Sequence, residues 1–168
     1  MKFTAQLIGN LPPTPEQIAA MGAIFQRDYE YANAHAEEVS TAVLPECMRP
    51  SAPLISALGA RHGLRLQDQG DRRPGAGRPE IVWCQSVDQH QDNIHGLVLF
   101  WILHNDAMLF RQKGMHCVPA VGDVILFNDH LSHGVDLPNG KTWDQMHAQA
   151  YFGGVSWPAE YATKTTGS

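Results

Sequence analysis

The chain has 168 residues, of which 43% are hydrophobic and 17% charged, and its formal net charge is −5. This size and composition predict one domain over residues 1–168 with a core of its own, and they exclude a disordered chain. The acidic balance argues against a general nucleic-acid surface, and no stretch is apolar for long enough to span a bilayer. Partners, substrate and oligomeric state are left open by the sequence.

The cysteines indicate a reducing compartment. Cys47, Cys84 and Cys117 are odd in number and scattered along the chain. Met1 to Asn10 carries one lysine and no long apolar run, so we expect no secretory signal there. Together these features predict reduced thiols in a cytoplasmic protein.

The first 63 residues have mainly helical patterns, after a short entry strand predicted over Met1 to Ile8. Thr14-Pro15-Glu16-Gln17 predicts a helix start, with Thr14 as N-cap, Pro15 in the first turn and Gln17 closing a capping box. A second helix is predicted over Ser51 to Gly63. We expect residues 1–63 to be mainly a helical support for a sheet. The apolar stripe of the first helix comprises Ile18, Met21, Phe25, Tyr29, Ala32, Ala36 and Val39.

From Leu64 onwards the pattern changes to short strands separated by turn signals. A Gly-, Pro- and Arg-rich loop over Gln69 to Pro79 comes first; we interpret it as solvated, with recruitment of an anionic substrate as the alternative. Residues 64–157 then predict a barrel or two-sheet jelly roll, and residues 158–168 a tail that is expected to be frayed from Ala162 to Ser168. The arginines of the loop are Arg72, Arg73 and Arg78. The main predicted strands are Ile81 to His90, Gly96 to His104, Ala107 to Arg111, His116 to Val118, Asp123 to Phe127, Ser132 to Val135 and Gln145 to Phe152. Of these, Gly96 to His104 lacks alternation, which is typical of a strand covered on both faces.

Three residues form a candidate metal site. His90-Gln91-Asp92 puts two potential ligands two positions apart at the end of a predicted strand, where such side chains leave the same face. His133 follows a later strand and supplies a second imidazole. Two imidazoles and one carboxylate on one face of a metal describe a non-haem Fe(II) oxygenase centre. A His-x-Asp tripeptide alone is weak evidence for a metal site. The prediction therefore depends on its combination with the strand context, the later segment that ends at His133 and the apolar strands between them.

Most of the other histidines are expected to be bystanders, because a facial iron site needs only two. Seven of the nine fall between residues 90 and 147. His95 lies at a predicted loop-to-strand junction, and His130 would face away from His133 in an extended chain. We therefore leave both out of the ligand set and give His147 no role. As partners that orient the ligand imidazoles, Asp129 or Ser132 are candidates.

The stretch from Ile81 to Phe152 resembles the double-stranded β-helix core of the Fe(II)/2-oxoglutarate-dependent oxygenases. His90-x-Asp92 resembles the first two ligands of that superfamily, and Pro119-x-x-Gly-Asp followed by Phe127 and His133-Gly-Val resembles its distal segment. The similarity includes the ten-residue step from Asp123 to His133 and covers under half of the chain. The hydrophobic strand from Gly96 to Leu103 and the hairpin from Asn105 to Phe110 also follow the family order.

The resemblance implies an α+β fold, a double-stranded β-helix (jelly-roll or cupin-like barrel) buttressed by N-terminal helices. It implies that His90, Asp92 and His133 hold Fe(II) and that 2-oxoglutarate is the cosubstrate. The implied reaction is oxidative decarboxylation to succinate and CO₂, coupled to hydroxylation or other C–H oxidation of an unidentified substrate.

The cation that would anchor the far carboxylate of 2-oxoglutarate is less clearly marked. The family usually places an Arg or Lys near the start of the strand after the distal histidine, and Gln145 to Phe152 contains neither. Lys141 lies eight residues after His133, in a turn-like segment, and Arg111 lies on the strand that follows the hydrophobic one. Arginine suits a carboxylate better because its planar fork makes two parallel hydrogen bonds. The position of Lys141 matches the commoner arrangement, and we therefore favour it slightly.

Two other function classes remain open. A cupin-type metal dioxygenase or isomerase would use the same barrel without 2-oxoglutarate; cupins resemble the Pro-x-x-Gly-Asp segment, but their usual His-x-His and later Glu are missing here. A non-enzymatic jelly-roll binding module would leave the histidines merely structural. Metal content separates the module from both enzymes, and succinate formation separates the two enzymes.

Overall fold

The computed structural model describes residues 4–35, 39–43, 57, 60–61, 64–65, 80–84, 86–92, 96–137, 150–158 and 163–164. Within these ranges the chain forms one long helix, α1 (Pro15–His35), and twelve strands. The strands are β1 (Gln6–Asn10), β2 (Val39–Val43), β3 (Leu64–Arg65), β4 (Glu80–Cys84), β5 (Val87–His90), β6 (Gly96–Asn105), β7 (Leu109–Gln112), β8 (Met115–Cys117), β9 (Asp123–Asn128), β10 (His133–Asp136), β11 (Ala150–Pro158) and β12 (Thr163–Lys164). In the described part of the chain, no helix combines the length and the apolar character needed to cross a membrane.

The strands form two main antiparallel sheets. The larger has six strands in the order β1-β9-β6-β11-β4-β2, and the smaller has four in the order β5-β10-β7-β8. A separate two-stranded sheet joins β12 to β3. Of the predicted barrel or two-sheet jelly roll, the structure confirms the coarser feature, a β-rich chain with two main sheets of mostly antiparallel strands.

One apolar core joins the two main sheets. The Phe110 ring of β7 contacts Phe100 of β6 and Phe127 of β9, with centroid distances of 6.0 and 5.4 Å. Ile125 of the larger sheet and Val135 of the smaller one belong to the same buried cluster. Burying each such side chain contributes about 1.5–3 kcal/mol, so this contact between layers is a main source of stability. The arrangement is compatible with a β-sandwich.

Strand β6 is covered on both faces, as its lack of alternation predicted. Trp101, Ile102 and Leu103 are consecutive and all buried, although neighbouring side chains of a strand point to opposite faces. The Trp101 indole satisfies its polar atom by donating from Nε1 to the Leu11 carbonyl at 2.8 Å. The strand lies between β9 and β11, in the interior of the larger sheet.

The predicted single strand from Ile81 to His90 is wrong. The chain instead forms β4, which belongs to the larger sheet, and β5, which belongs to the smaller one. No glycine or proline separates the two pieces, so the local pattern gives no sign of the crossing between layers. As a consequence, His90 lies on the smaller sheet.

The predicted start of the first helix is confirmed. The Thr14 N–H donates to Gln17 Oε1 at 2.8 Å, and the Gln17 N–H donates to Thr14 Oγ1 at 3.3 Å, which is a reciprocal capping box. The predicted burial of Ile18 is wrong, because this residue is 49% exposed. The predicted place of Val39 on this helix is also wrong, because α1 ends at His35 and Val39 begins β2. The side chains at positions 25, 29 and 32 of the stripe, and residue 36 itself, are outside the described part of the structure.

The N-terminal region also supplies strands to the larger sheet. β1 pairs with β9 and β2 pairs with β4, so the two are the edge strands. At the other end of the chain, Thr163–Lys164 pairs with Leu64–Arg65, and the tail predicted to be frayed is paired at that point. The predicted helix over 51–63 (apart from 57, 60 and 61), the loop over 69–79 and residues 145–149 of the last predicted strand lie outside the described residues.

The two cysteines within the described residues are not in disulfides. Cys84 is buried in the core, and burial raises the pKa of its thiol to about 12. The pKa of Cys117 is raised by burial and then by the nearby Asp123 carboxylate. A raised thiol pKa disfavours the thiolate, which is the form that acts as a nucleophile. Cys47 lies outside the described residues.

Candidate metal centre

Two histidines far apart in sequence meet across the smaller sheet. His90 ends β5 and His133 begins β10, and the two are direct partners in the antiparallel pair. Their ring centroids are 4.4 Å apart, with the ring planes tilted by 53°. Directly opposed residues of antiparallel strands bring their side chains together on one face. The pairing therefore explains why these two imidazoles converge.

A β-bulge in β5 turns His90 towards the core side of the sheet. His133 is opposite His90, but Val135 is opposite Val87, so two residues of β5 lie opposite the single residue Gly134. Without the extra residue, Val87 and His90 would point to opposite faces, because they are three positions apart. With it, Val87 packs against the core while His90 contacts His133. Bulges commonly redirect a side chain in this way.

Gly134 and Gln89 fit the bulge closely. A Cβ on Gly134 would lie 2.7 Å from the Val87 carbonyl oxygen and 2.8 Å from the end of the Gln89 amide, so no side chain fits there. The Gln89 amide is oriented so that both its oxygen and its nitrogen have hydrogen-bond partners. In this orientation Oε1 accepts from the Gly134 N–H and from Arg111 Nε, each at 3.1 Å. Its amide nitrogen then donates to Ser132 Oγ at 3.0 Å. The Gln89 side chain thus supplies an acceptor where the bulge interrupts the ladder.

Asp92 completes the cluster from a position just beyond β5. Its N–H donates to the Asp129 carbonyl at 3.1 Å, which places this part of the chain beside the turn that precedes β10. Its Oδ1 is 3.4 Å from His90 Nε2, and its Oδ2 is 3.4 Å from His133 Nε2. One possible ligand atom from each residue lies within 4.8 Å of the others. The structure therefore brings together the three residues that the sequence singled out, although the turn and not strand alternation positions Asp92.

Backbone carbonyls fix the orientation of both imidazoles. His90 Nδ1 is 2.7 Å from the Asp88 carbonyl oxygen, and His133 Nδ1 is 2.9 Å from that of Leu131. A carbonyl oxygen can only accept, so each Nδ1 carries the proton of the hydrogen bond. In the neutral imidazoles both Nε2 lone pairs then point towards Asp92. The orienting partners are these carbonyls, whereas the sequence had suggested Asp129 or Ser132.

This donor set fits a divalent cation. The Nε2 lone pair of each neutral imidazole faces an Asp92 carboxylate oxygen at 3.4 Å, and the lone pair and the oxygen repel each other. A cation bound between them would be coordinated by all three side chains and would remove this repulsion. Metal bonds of about 2.0–2.2 Å to nitrogen and oxygen require ligand atoms separated by a few ångströms, as here. His133 is only 5% exposed, but the side chains of His90 and Asp92 are 38% and 42% exposed. The site is thus closed by protein on one side and open on the other.

The structure does not bring Arg111 to the cluster. Its neighbours in β7, Phe110 and Gln112, are buried, so alternation places Arg111 on the outer face of the smaller sheet. Its Nη2 is 3.0 Å from Asp136 Oδ1. Arg111 also lines an open groove of about 710 Å³ that none of the three candidate ligands lines. Lys141, the other predicted anchor, lies outside the described residues.

The other histidines whose side chains the structure describes do not enter the cluster. His130 is exposed, and its Nε2 is 3.6 Å from Asp129 Oδ1. His95 and His147 lie outside the described residues.

The sequence analysis did not identify Gln89 and Gln112, both of which make contacts around the site. For Gln112 the sequence offered one signal: the residue lies two positions after Phe110 of a predicted strand, so alternation places this polar side chain on the inward face.

No protein-family model matches the chain, and no curated protein matches it.

Proposed function

We propose that this protein is a non-haem Fe(II) oxygenase that uses 2-oxoglutarate to hydroxylate or otherwise oxidise a C–H bond of its substrate. The observation that carries the proposal is the convergence of His90, Asp92 and His133, with both Nδ1 atoms tied to backbone carbonyls. Two imidazoles and one carboxylate with an open opposite side are typical of non-haem Fe(II) oxygenases. A cytoplasmic location belongs to the same proposal.

The strand connectivity supports a double-stranded β-helix as the fold of this enzyme. When the eight strands from β4 to β11 are numbered 1 to 8, the larger sheet contains the order 1-8-3-6 and the smaller sheet 2-7-4-5. This order matches that of a jelly roll, in which most successive strands alternate between two sheets; β7 and β8 are the exception, as neighbours in the smaller sheet. β1 and β2 extend the larger sheet at its two edges. In this fold the candidate ligands lie where β5 ends and β10 begins.

When bound, Fe(II) would allow O₂ to oxidise 2-oxoglutarate to succinate and CO₂, with one oxygen atom going to succinate and the other to the substrate C–H bond. The chain contributes binding, orientation and exclusion of water. Asp92 provides the one negative charge among the three ligands, which leaves a divalent cation with net positive charge for an anionic cosubstrate. His133 is covered by the Phe127 ring, whose centroid is 4.9 Å away, so water is excluded on that side. Cosubstrate and substrate would approach from the exposed side of His90 and Asp92.

The cosubstrate is tested by adding 2-oxoglutarate to the anaerobic Fe(II) protein. We expect a visible metal-to-ligand charge-transfer band and, in air, slow formation of succinate without substrate. The Asp92→Ala variant is the control and should give neither signal. A metal-loaded protein without band or succinate would contradict the cosubstrate assignment and favour the cupin-type dioxygenase or isomerase. A wild-type protein that binds no metal would favour the binding module.

For the anchor we retain Lys141, because Arg111 is engaged with Asp136 on the outer face. β11 carries no Arg or Lys from Ala150 to Pro158, so the strand itself offers no alternative. Lys141→Ala should weaken 2-oxoglutarate binding tenfold or more, since a charged hydrogen bond contributes about 1.5–3 kcal/mol. Arg111→Ala serves as the matched control and should leave the affinity unchanged. It removes an exposed ion pair with Asp136 and one hydrogen bond to Gln89 Oε1, which keeps its hydrogen bond from the Gly134 N–H. Anaerobic titration of both variants measures this, and unchanged affinity in both would rule out either residue as the anchor.

A further inference from the structure

We infer that Gln112 is a positioning residue for the metal centre, because its side chain holds the turn that fixes both Asp92 and His133. The inference depends on the metal site proposed above. It adds a residue that is neither a ligand nor part of the sequence motif.

The Gln112 side chain links the two sheets beside the candidate ligands. The residue ends β7, lies directly opposite His133 in β10 and is only 2% exposed. Its Nε2 donates to the Asn128 carbonyl at 2.7 Å, and its Oε1 accepts from the Asn128 N–H at 3.3 Å. Asn128 ends β9 of the larger sheet. The Gln112 side chain, which belongs to the smaller sheet, therefore hydrogen-bonds both the carbonyl and the N–H of this residue. A second contact runs from Nε2 to the Leu131 carbonyl at 3.4 Å.

These contacts hold the turn over residues 128–131, which connects β9 to β10. The turn is closed by the Leu131 N–H, which donates to the Asn128 carbonyl at 3.1 Å. Within it, Asn128 Oδ1 accepts from the His130 N–H at 3.0 Å. Gln112 therefore binds the first and last carbonyls of a compact, internally hydrogen-bonded turn.

Two carbonyls of this turn contact the candidate ligands. The Asp129 carbonyl accepts the Asp92 N–H at 3.1 Å, and the Leu131 carbonyl accepts the His133 Nδ1–H at 2.9 Å. A shift of the turn would therefore move Asp92 and rotate the His133 ring together. His90 is independent of the turn, because its Nδ1 contacts the carbonyl of Asp88 in its own strand. Loss of Gln112 should thus disturb two ligands of three.

Asn105 provides a matched control for a purely structural amide. Its Nδ2 contacts the carbonyls of Met108 and Pro119 at 3.1 and 2.8 Å, and its Oδ1 accepts the Met108 N–H at 2.8 Å. It also makes three contacts to backbone, but at the far end of β6. The near end of that strand pairs with β9 through Leu97 and Asn128. At about 3.3 Å per residue, the eight positions between Leu97 and Asn105 span roughly 26 Å.

The test compares Gln112→Leu, Gln112→Glu and Asn105→Leu with the wild-type protein. Affinity for Mn(II) and Fe(II) is measured by anaerobic titration, the Co(II) absorption spectrum reports coordination geometry, and metal-free thermal unfolding reports stability. Both Gln112 variants should bind metal about 10- to 100-fold more weakly, the effect typical of removing a group that orients metal ligands. Their Co(II) spectra should change as well. Gln112→Glu keeps the size and one acceptor but loses the donor, so it provides a second reading if the leucine variant folds poorly.

Asn105→Leu should lower the unfolding temperature and keep wild-type metal affinity. Wild-type affinity in a folded Gln112 variant would overturn the inference, as would an equal loss of affinity in Asn105→Leu. Failure of the wild-type protein to bind metal is a different result, because it would reject the proposed function itself.

Discussion

Replacing Asp92 by alanine should abolish stoichiometric Fe(II) binding while the domain remains folded. Asp92 supplies the only negative charge among the three candidate ligands, and both of its oxygens face imidazole nitrogens at 3.4 Å. Its side chain is 42% exposed, so truncation leaves little cavity. The measurement is the ratio of metal to protein after anaerobic loading and dialysis, together with a thermal unfolding curve.

Asp88→Ala is the matched control for this prediction. Asp88 is an exposed carboxylate in β5, the strand that ends two residues before Asp92, and its hydrogen bond with His90 uses only the backbone carbonyl. This variant should retain one metal ion per chain. His133→Ala should also abolish metal binding, but at a cost of about 2–3 kcal/mol in stability, because the ring is buried against Phe127. Full metal content in both Asp92→Ala and His133→Ala would mean that these residues do not hold the metal.

Gly134→Ala should weaken both the fold and the metal centre. The added Cβ would lie 2.7 Å from the Val87 carbonyl oxygen and 3.3 Å from the Asp88 carbonyl carbon, so β5 must move away from β10. Forcing an atom into such a contact typically costs about 1–3 kcal/mol. That corresponds to roughly 2–4 °C in Tm for each kcal/mol in a domain of this size. Because the bulge orients His90, metal affinity should also fall by about tenfold or more.

Gly22→Ala is the corresponding control for a glycine with free space around it. A Cβ at Gly22, within α1, meets no atom within 4 Å. Alanine at this helical position should raise stability by about 0.5–1 kcal/mol and leave metal binding unchanged. Differential scanning calorimetry and metal titration on the two variants check both effects. A Gly134→Ala protein with wild-type Tm and affinity would show that the bulge is not needed to place His90.

The residues of the candidate site could be predicted from the sequence, but the positions and orientations of their side chains could not. His90, Asp92 and His133 could be named because ligand-type side chains occur at strand ends with a recognisable spacing. Their alignment depends on features with no local signature: the bulge opposite Gly134 and the backbone carbonyls that orient the rings. A bulge is defined by the register between two strands, and β5 and β10 are separated by more than forty residues in the chain.

Features that depend on neighbouring residues could be predicted before the fold was known. The capping box at Thr14 and Gln17 depends on atoms three positions apart, and the burial of Trp101 to Leu103 follows from an unbroken apolar run. Tertiary structure alone decided which sheet each strand joins, and it therefore separated β4 from β5. It also made edge strands of β1 and β2 and placed Gln112 against the turn at Asn128. The physical reason is that periodicity reports which side chains are buried, whereas pairing and register are set by hydrogen bonds between segments distant in the chain.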